Sequence, residues 1–257
     1  VKTKLEILKE SPAYAPDSAM NLPFRYAAPN DSLLTLSRNR FNLDSIAGSG
    51  DDISRIKNLL YWVHNNIRHD GSNGLAPGPR TLRNTYDSAR RDSCGYNYRA
   101  LAISLAEALL AEGIPARYIT CLPKRWDTDN DCHVICVAWC DSLGKWVWVD
   151  PTFAAFVTDE NGLMLHPGEV RYRIQHDLPV VLNKDANWNH EGPLEKEEYI
   201  DYYMAKNLYI LQTNTFNQAE PEGESSHDQG YHVALVPQGI TYPNSCLLYT
   251  SDAADDK

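Results

Sequence analysis

RRDSCGYNYRALAISLAEALLAEGIP, residues 90–115, decides how this chain folds. Leu101, Leu105, Ala108 and Leu109 recur at helical spacing, and Ala102, Ile103, Ala106 and Leu110 widen that stripe until little polar surface remains. Such a pattern predicts a central helix buried on nearly all sides. Gly113 followed by Ile114 and Pro115 ends it, because glycine accepts a left-handed cap and proline cannot continue a helix. At the front, Ser93 is the expected N-cap, which sets Cys94 in the first turn. There, unpaired backbone N–H groups and the positive end of the helix dipole favour a thiolate and offer donors to an oxyanion. A small residue filling a crowded helix start is the plainer reading of a single cysteine.

Working outward, Ile53, Ile56, Leu60, Val63 and Ile67 follow Asp51 and Asp52 at helical spacing, so DDISRIKNLLYWVHNNI predicts an amphipathic helix. GSNGLAPGPR, residues 71–80, predicts a loop, and a shorter helix is expected around LRNTYDSA. After the central helix come three β-like runs, IPARYITCL, DCHVICVAWC and KWVWVDPTF, separated by the turn signals CLPKRWDTDND and DSLGK. Antiparallel pairing through short hairpins is the economical arrangement. His133 starts the second run on the parity of Ile135, Val137 and Trp139, and Asp150 closes WVWVD before Pro151. A hairpin through DSLGK sets His133 beside Asp150.

A cysteine nucleophile needs an imidazole to take its proton and a carboxylate to hold that imidazole's tautomer. His133 read alone is a strand-end histidine and Asp150 a turn carboxylate; the order of cysteine on a helix, then histidine and aspartate on successive strands, gives them joint meaning. On DSCGYNYRALAISLAEALLAEGIPARYIT, DCHVICVAW and WVWVDPTF, roughly residues 50–155, the chain resembles the transglutaminase-like superfamily of papain-fold cysteine enzymes. That resemblance implies an α+β, papain-like/transglutaminase-like core in which a buried helix with Cys at its N-terminus packs on an antiparallel β-sheet. It further implies Cys94 as nucleophile, His133 as general base and acid, and Asp150 as orienting carboxylate. The superfamily spans crosslinking transglutaminases, peptidases, deglycosylating amidases and inactive members.

The expectation is therefore a cysteine-dependent acyl-transfer enzyme working on amide bonds through a thioester, with hydrolysis preferred; a protein-glutamine transglutaminase, or a non-enzymatic peptide- or glycan-binding module, are the alternatives. Its partner would be a peptide, protein or amide-containing glycoconjugate. A second oxyanion donor is not placed, Tyr86 and Asn97 being weak candidates.

Composition narrows the classes further. At 257 residues and 43% hydrophobic content the chain can bury a sizeable core. A net charge of -10 without a basic run argues against a nucleic-acid partner. No apolar run approaches the ~20 residues of a membrane helix. Cys132, Cys136 and Cys140 lie four apart on a β-like run, roughly 13 Å between neighbours, so they read as small buried hydrophobes on one strand face. Asp127–Asp131 imitates the start of a calcium loop, but Cys132 replaces its glycine and Ala138 its glutamate. The other histidines show no close-spaced ligand pattern, so no metal or cofactor is expected.

Four regions are expected: an extended arm over 1–30, the catalytic core over 31–160, a C-terminal α/β extension over 161–245, and a non-native tail over 246–257. In the extension LEKEEYIDYYMAKN predicts a short helix, and KNLYILQTN and YHVALVPQG predict a strand pair; no catalytic motif is read there. The opening at Val1 fits a mature or trimmed product, and an exported location, periplasmic or at the cell surface, is expected.

Overall fold

A computed structural model describes residues 2–15, 24–222 and 232–242, and the backbone of 247–248. Eight helices occur among these residues: α1 (Lys4–Lys9), α2 (Ser32–Phe41), α3 (Leu43–Ala47), α4 (Asp52–Asn66), α5 (Leu82–Asp92), α6 (Tyr98–Ala111), α7 (Pro167–Gln175) and α8 (Ala205–Asn207). A π-helix, Glu197–Met204, runs into α8. The strands are β1 (Arg25–Tyr26), β2 (Ala116–Leu122), β3 (His133–Cys140), β4 (Lys145–Asp150), β5 (Ala155–Thr158), β6 (Val181–Leu182), β7 (Ile210–Asn214), β8 (Phe216–Asn217), β9 (His232–Leu235) and β10 (Leu247–Leu248). The main sheet has the order β10-β9-β7-β2-β3-β4-β5-β6 and is antiparallel apart from β10 beside β9; β1 and β8 form a separate parallel pair.

The α+β architecture is the expected one. α6 lies on the centre of the sheet with every residue from Ala100 to Ala111 buried, because its sequence offers apolar or small side chains on every face. The three expected β-like runs are β2, β3 and β4, paired by successive hairpins. Both faces of the sheet are covered, which explains near-continuous apolar strands in place of alternation. Cys136, Ala138, Cys140, Val147 and Val149 face α2–α6. Ile135, Val137, Trp139, Trp146 and Trp148 face the other way, onto α7, the π-helix and α8. The C-terminal extension thus supplies the second layer.

The expected extended arm holds a short helix. Thr3 and Glu6 form a capping box at the start of α1, and Leu8 is driven into the second layer with no exposure. The expected tail lies outside the described residues except for Leu247–Leu248, which pair with Val233 and Ala234.

Candidate functional site

The hairpin register brings His133 and Asp150 together. β3 and β4 pair with Cys136 opposite Val149. Continuing that register sets Asp150 across from Ile135, with His133 two residues along on the same face, a diagonal that long side chains span. His133 Nε2 lies 2.6 Å from Asp150 Oδ2, and both side chains are fully buried. Asp150 is held from three sides: Oδ2 also accepts the Tyr199 hydroxyl at 2.6 Å, and Oδ1 accepts the Thr152 backbone N–H at 2.9 Å. With Nε2–H donated to Asp150, Nδ1 is left as an acceptor, and the Tyr203 hydroxyl lies 3.2 Å from it and 3.4 Å from Cys132 O.

Tyr199 and Tyr203 both come from the π-helix, in the segment read as a short helix without a catalytic motif. The extra residue per turn of a π-helix sets the positions of the side chains it presents, and such turns cluster at functional sites. Burial raises the pKa of both hydroxyls above the ordinary tyrosine value, with the Asp150 charge adding to the effect, so both are neutral donors. Rings of Tyr98, Tyr203 and Phe153 surround the imidazole, with centroids 5.3, 5.1 and 5.7 Å away.

Cys94 is not in the first turn of α6. α5 runs on to Asp92, and Ser93 closes it in a left-handed conformation (φ 50°), a C-cap instead of the expected N-cap. The N-cap of α6 is Asn97, whose side chain accepts the Ala100 N–H, and the helix begins with Tyr98. Cys94 therefore sits in the turn between two helices, and its backbone N–H bonds back to Ala89 O. The thiol is half-buried and packs against the α6 side of the sheet, whereas His133 and Asp150 lie on the opposite face. It lines a cleft of about 300 Å³ with His64, Arg68, Arg90, Asn189 and His190. No hydrogen bond joins Cys94 to His133 among the described residues.

The residue that α6 presents to His133 at its start is Tyr98. Its ring meets the imidazole edge to face, and its hydroxyl contacts Cys132 Sγ at 3.3 Å. Cys132 precedes β3 and is half-buried, unlike Cys136 and Cys140, so only two of the three spaced cysteines are core residues of one strand face. Asp129 and Asp131, in the acidic turn before His133, share Lys206. Of the weak oxyanion candidates, Asn97 is the cap of α6, and Tyr86 stacks with Trp62 and meets Phe41 edge to face.

A model of the transglutaminase-like superfamily matches residues 40–151, the span from the end of α2 to the end of β4. This segment is a transglutaminase-like core. Two solved structures are similar at low identity. A candidate cysteine protease from Cytophaga hutchinsonii is 21% identical over 55% of this chain and 43% of its own, with a TM-score of 0.32. A candidate protease from Parabacteroides distasonis is 19% identical over 50% of this chain and 28% of its own, with a TM-score of 0.27. This chain thus covers less than half the length of either. No curated protein matches it. The transglutaminase-like core contributes Tyr98, His133 and Asp150, and the extension beyond it contributes Tyr199 and Tyr203. No helix among the described residues is long and apolar enough to cross a membrane.

Proposed function

We propose that this chain is a transglutaminase-like protein that binds peptide or protein segments and carries no thiol nucleophile at its His133–Asp150 pair. The observation that carries this reading is Tyr98 at the start of α6 against His133. A hydroxyl nucleophile needs a base on its proton, and the Tyr98 hydroxyl meets Cys132 Sγ at 3.3 Å with no hydrogen bond to His133 among the described residues, while burial raises its pKa above the ordinary value and keeps it protonated. The cleft lined by Cys94 suits an acidic or carboxylate-bearing segment: Arg68 and Arg90 are exposed on its rim, local positive charge on a chain of net charge -10. Residues 31–160 are then the core and 161–245 an extension that closes it over the pair.

A second reading, cysteine-dependent acyl transfer with Cys94, His133 and Asp150 as a triad, is favoured by the His133–Asp150 hydrogen bond, the arrangement a general base and its orienting carboxylate require. It needs the Cys94 sulfur to reach Nδ1, and no hydrogen bond joins Cys94 to His133 among the described residues, the ring of Tyr98 lying against the imidazole instead. Incubating the parent chain with a peptide library and reading products by mass spectrometry separates the two. The binding reading expects retained peptides and no cleaved or transamidated products. Turnover by the parent that disappears in both Cys94→Ala and His133→Ala would establish the triad instead.

A further inference from the structure

His69 follows α4 in the stretch IRHDG, which showed no ligand pattern. Its backbone is fixed along the turn that leads into α6: His69 bridges Tyr96, Tyr96 N–H donates to Arg68 O, and Asp70 N–H donates to Tyr96 O. From the other side, Asn189 accepts the His69 N–H and donates to its carbonyl, each at 2.9 Å. The ring is fixed too. Trp188 Nε1 donates to His69 Nδ1 at 2.9 Å. An indole nitrogen only donates, so Nδ1 is the unprotonated nitrogen and the proton resides on Nε2. That Nε2–H is buried and meets no acceptor among the described residues. Burial, followed by the charge of His133, lowers the His69 pKa below its ordinary value, which keeps the ring a neutral donor. Its plane lies within 19° of the Tyr98 ring, centroids 6.3 Å apart, and Tyr98 in turn lies against His133.

A buried donor of fixed tautomer with no acceptor is a rare feature, and here it flanks the residue that takes the nucleophile's place. We propose that His69 Nε2–H, on the ring stacked beside Tyr98, is the oxyanion donor of this site, brought into use when residue 98 carries a thiol. This rests on the reading that residue 98 is the nucleophile position. With p-nitrophenyl acetate the step in Tyr98→Cys runs as follows. His133 Nδ1 takes the thiol proton, sulfur bonds to the acetyl carbon, and the carbonyl electron pair moves onto oxygen, held by His69 Nε2–H. Collapse expels p-nitrophenolate and leaves an acetyl thioester. The proton on His133 passes to solvent; water then gives a proton to Nδ1 as its oxygen bonds to the acetyl carbon, the carbon–sulfur bond breaks, His133 returns that proton to sulfur, and the acid leaves as acetate and a solvent proton.

Three measurements test this. In Tyr98→Cys, iodoacetamide should alkylate residue 98 faster than Cys94, with the advantage lost in Tyr98→Cys/His133→Ala. Adding His69→Ala should leave that alkylation rate unchanged yet slow the p-nitrophenolate burst by about 10²–10³-fold, the size of one lost oxyanion donor, and His69→Gln, which keeps an N–H, should restore part of it. A burst indifferent to His69→Ala overturns the assignment of His69 while the reading of residue 98 stands. A thiol at 98 that is unreactive in a folded variant overturns both. In the parent chain, which needs no variant to fold, nitrogen NMR should find the His69 proton on Nε2; finding it on Nδ1 overturns the proposal directly.

Discussion

Tyr98 lies edge to face on His133, ring centroids 5.3 Å apart and planes at 71°, while Asp150 Oδ2 holds Nε2 of the same imidazole at 2.6 Å. Asp150 accepts from His133, Tyr199 and the Thr152 backbone. A buried carboxylate with three donors is a structural commitment as well as a chemical one, and its worth can be measured on stability alone.

Asp150→Asn should destabilise the fold. The carboxylate accepts His133 Nε2–H, Tyr199 Oη–H and Thr152 N–H, and an amide offers one oxygen and an NH₂ that faces other donors. At full burial the loss is expected at about 2–4 kcal/mol, read as a lower denaturant midpoint with an unchanged slope. An unchanged midpoint would mean that the carboxylate's contacts contribute nothing net.

Glu107 gives a pH signature. It lies in α6 with 1% exposure and accepts the Leu82 N–H at 2.7 Å and the Ser37 hydroxyl. Burial raises its pKa from 4.5 to about 7. The folded form therefore binds the proton more tightly than the unfolded form. Its contribution is complete below about pH 4.5 and is lost as pH rises through about 7. Between those limits the stability of the parent minus that of Glu107→Gln should fall with pH. A difference that is flat or rises would refute the assignment.

Gly95→Ala should disturb the turn between α5 and α6. A Cβ at Gly95 would stand 2.6 Å from Arg68 O and 3.0 Å from Asp70 Cβ, and the first of these is backbone already bonded to Tyr96. The turn must shift to admit it, at a cost of about 1–3 kcal/mol. Thermal unfolding checks the loss, and the His69 ring resonances should move with it, because the same turn bridges His69.

Much of this architecture was legible in the sequence because it rests on periodicity. The apolar span of α6, the apolar stripe and acidic start of α4, and the strand parity that joins His133 to Asp150 are all set by local pattern and hairpin length. The start of α6 was misread for a physical reason. Ser93 and Asn97 are both good capping residues, and the four residues from Cys94 to Asn97 fit the front of a helix as readily as a turn. Choosing between them depends on Gly95 packing against the Arg68 carbonyl, a contact between segments 27 residues apart that no local pattern encodes. The signal that was present is Asn97, three residues before the apolar span that opens at Ala100. The π-helix was legible only as a helix, since its extra residue per turn, and with it the direction of Tyr199 and Tyr203, is settled by packing on β3 and β4. His69 showed nothing, because its meaning comes from Trp188 and Asn189, more than a hundred residues away.

The cysteines allow a test that discriminates between the two readings of the parent chain without any substrate. Cys121, Cys136 and Cys140 are buried, and burial raises the pKa of each thiol above its ordinary value, so they should resist iodoacetamide near neutral pH. Cys94 and Cys132 are half-buried and should be alkylated first, which peptide mapping after timed quenching will show. Since Cys94 packs on the α6 side of the sheet and His133 on the other, His133→Ala should leave the Cys94 rate unchanged within about twofold, given that a thiol's reactivity is set by the groups that stabilise its thiolate. Cys132 should respond instead to Tyr98→Phe, which removes the hydroxyl 3.3 Å from its sulfur. A Cys94 rate that drops tenfold or more in His133→Ala would show that the two meet in solution, and the triad reading would then displace the binding reading.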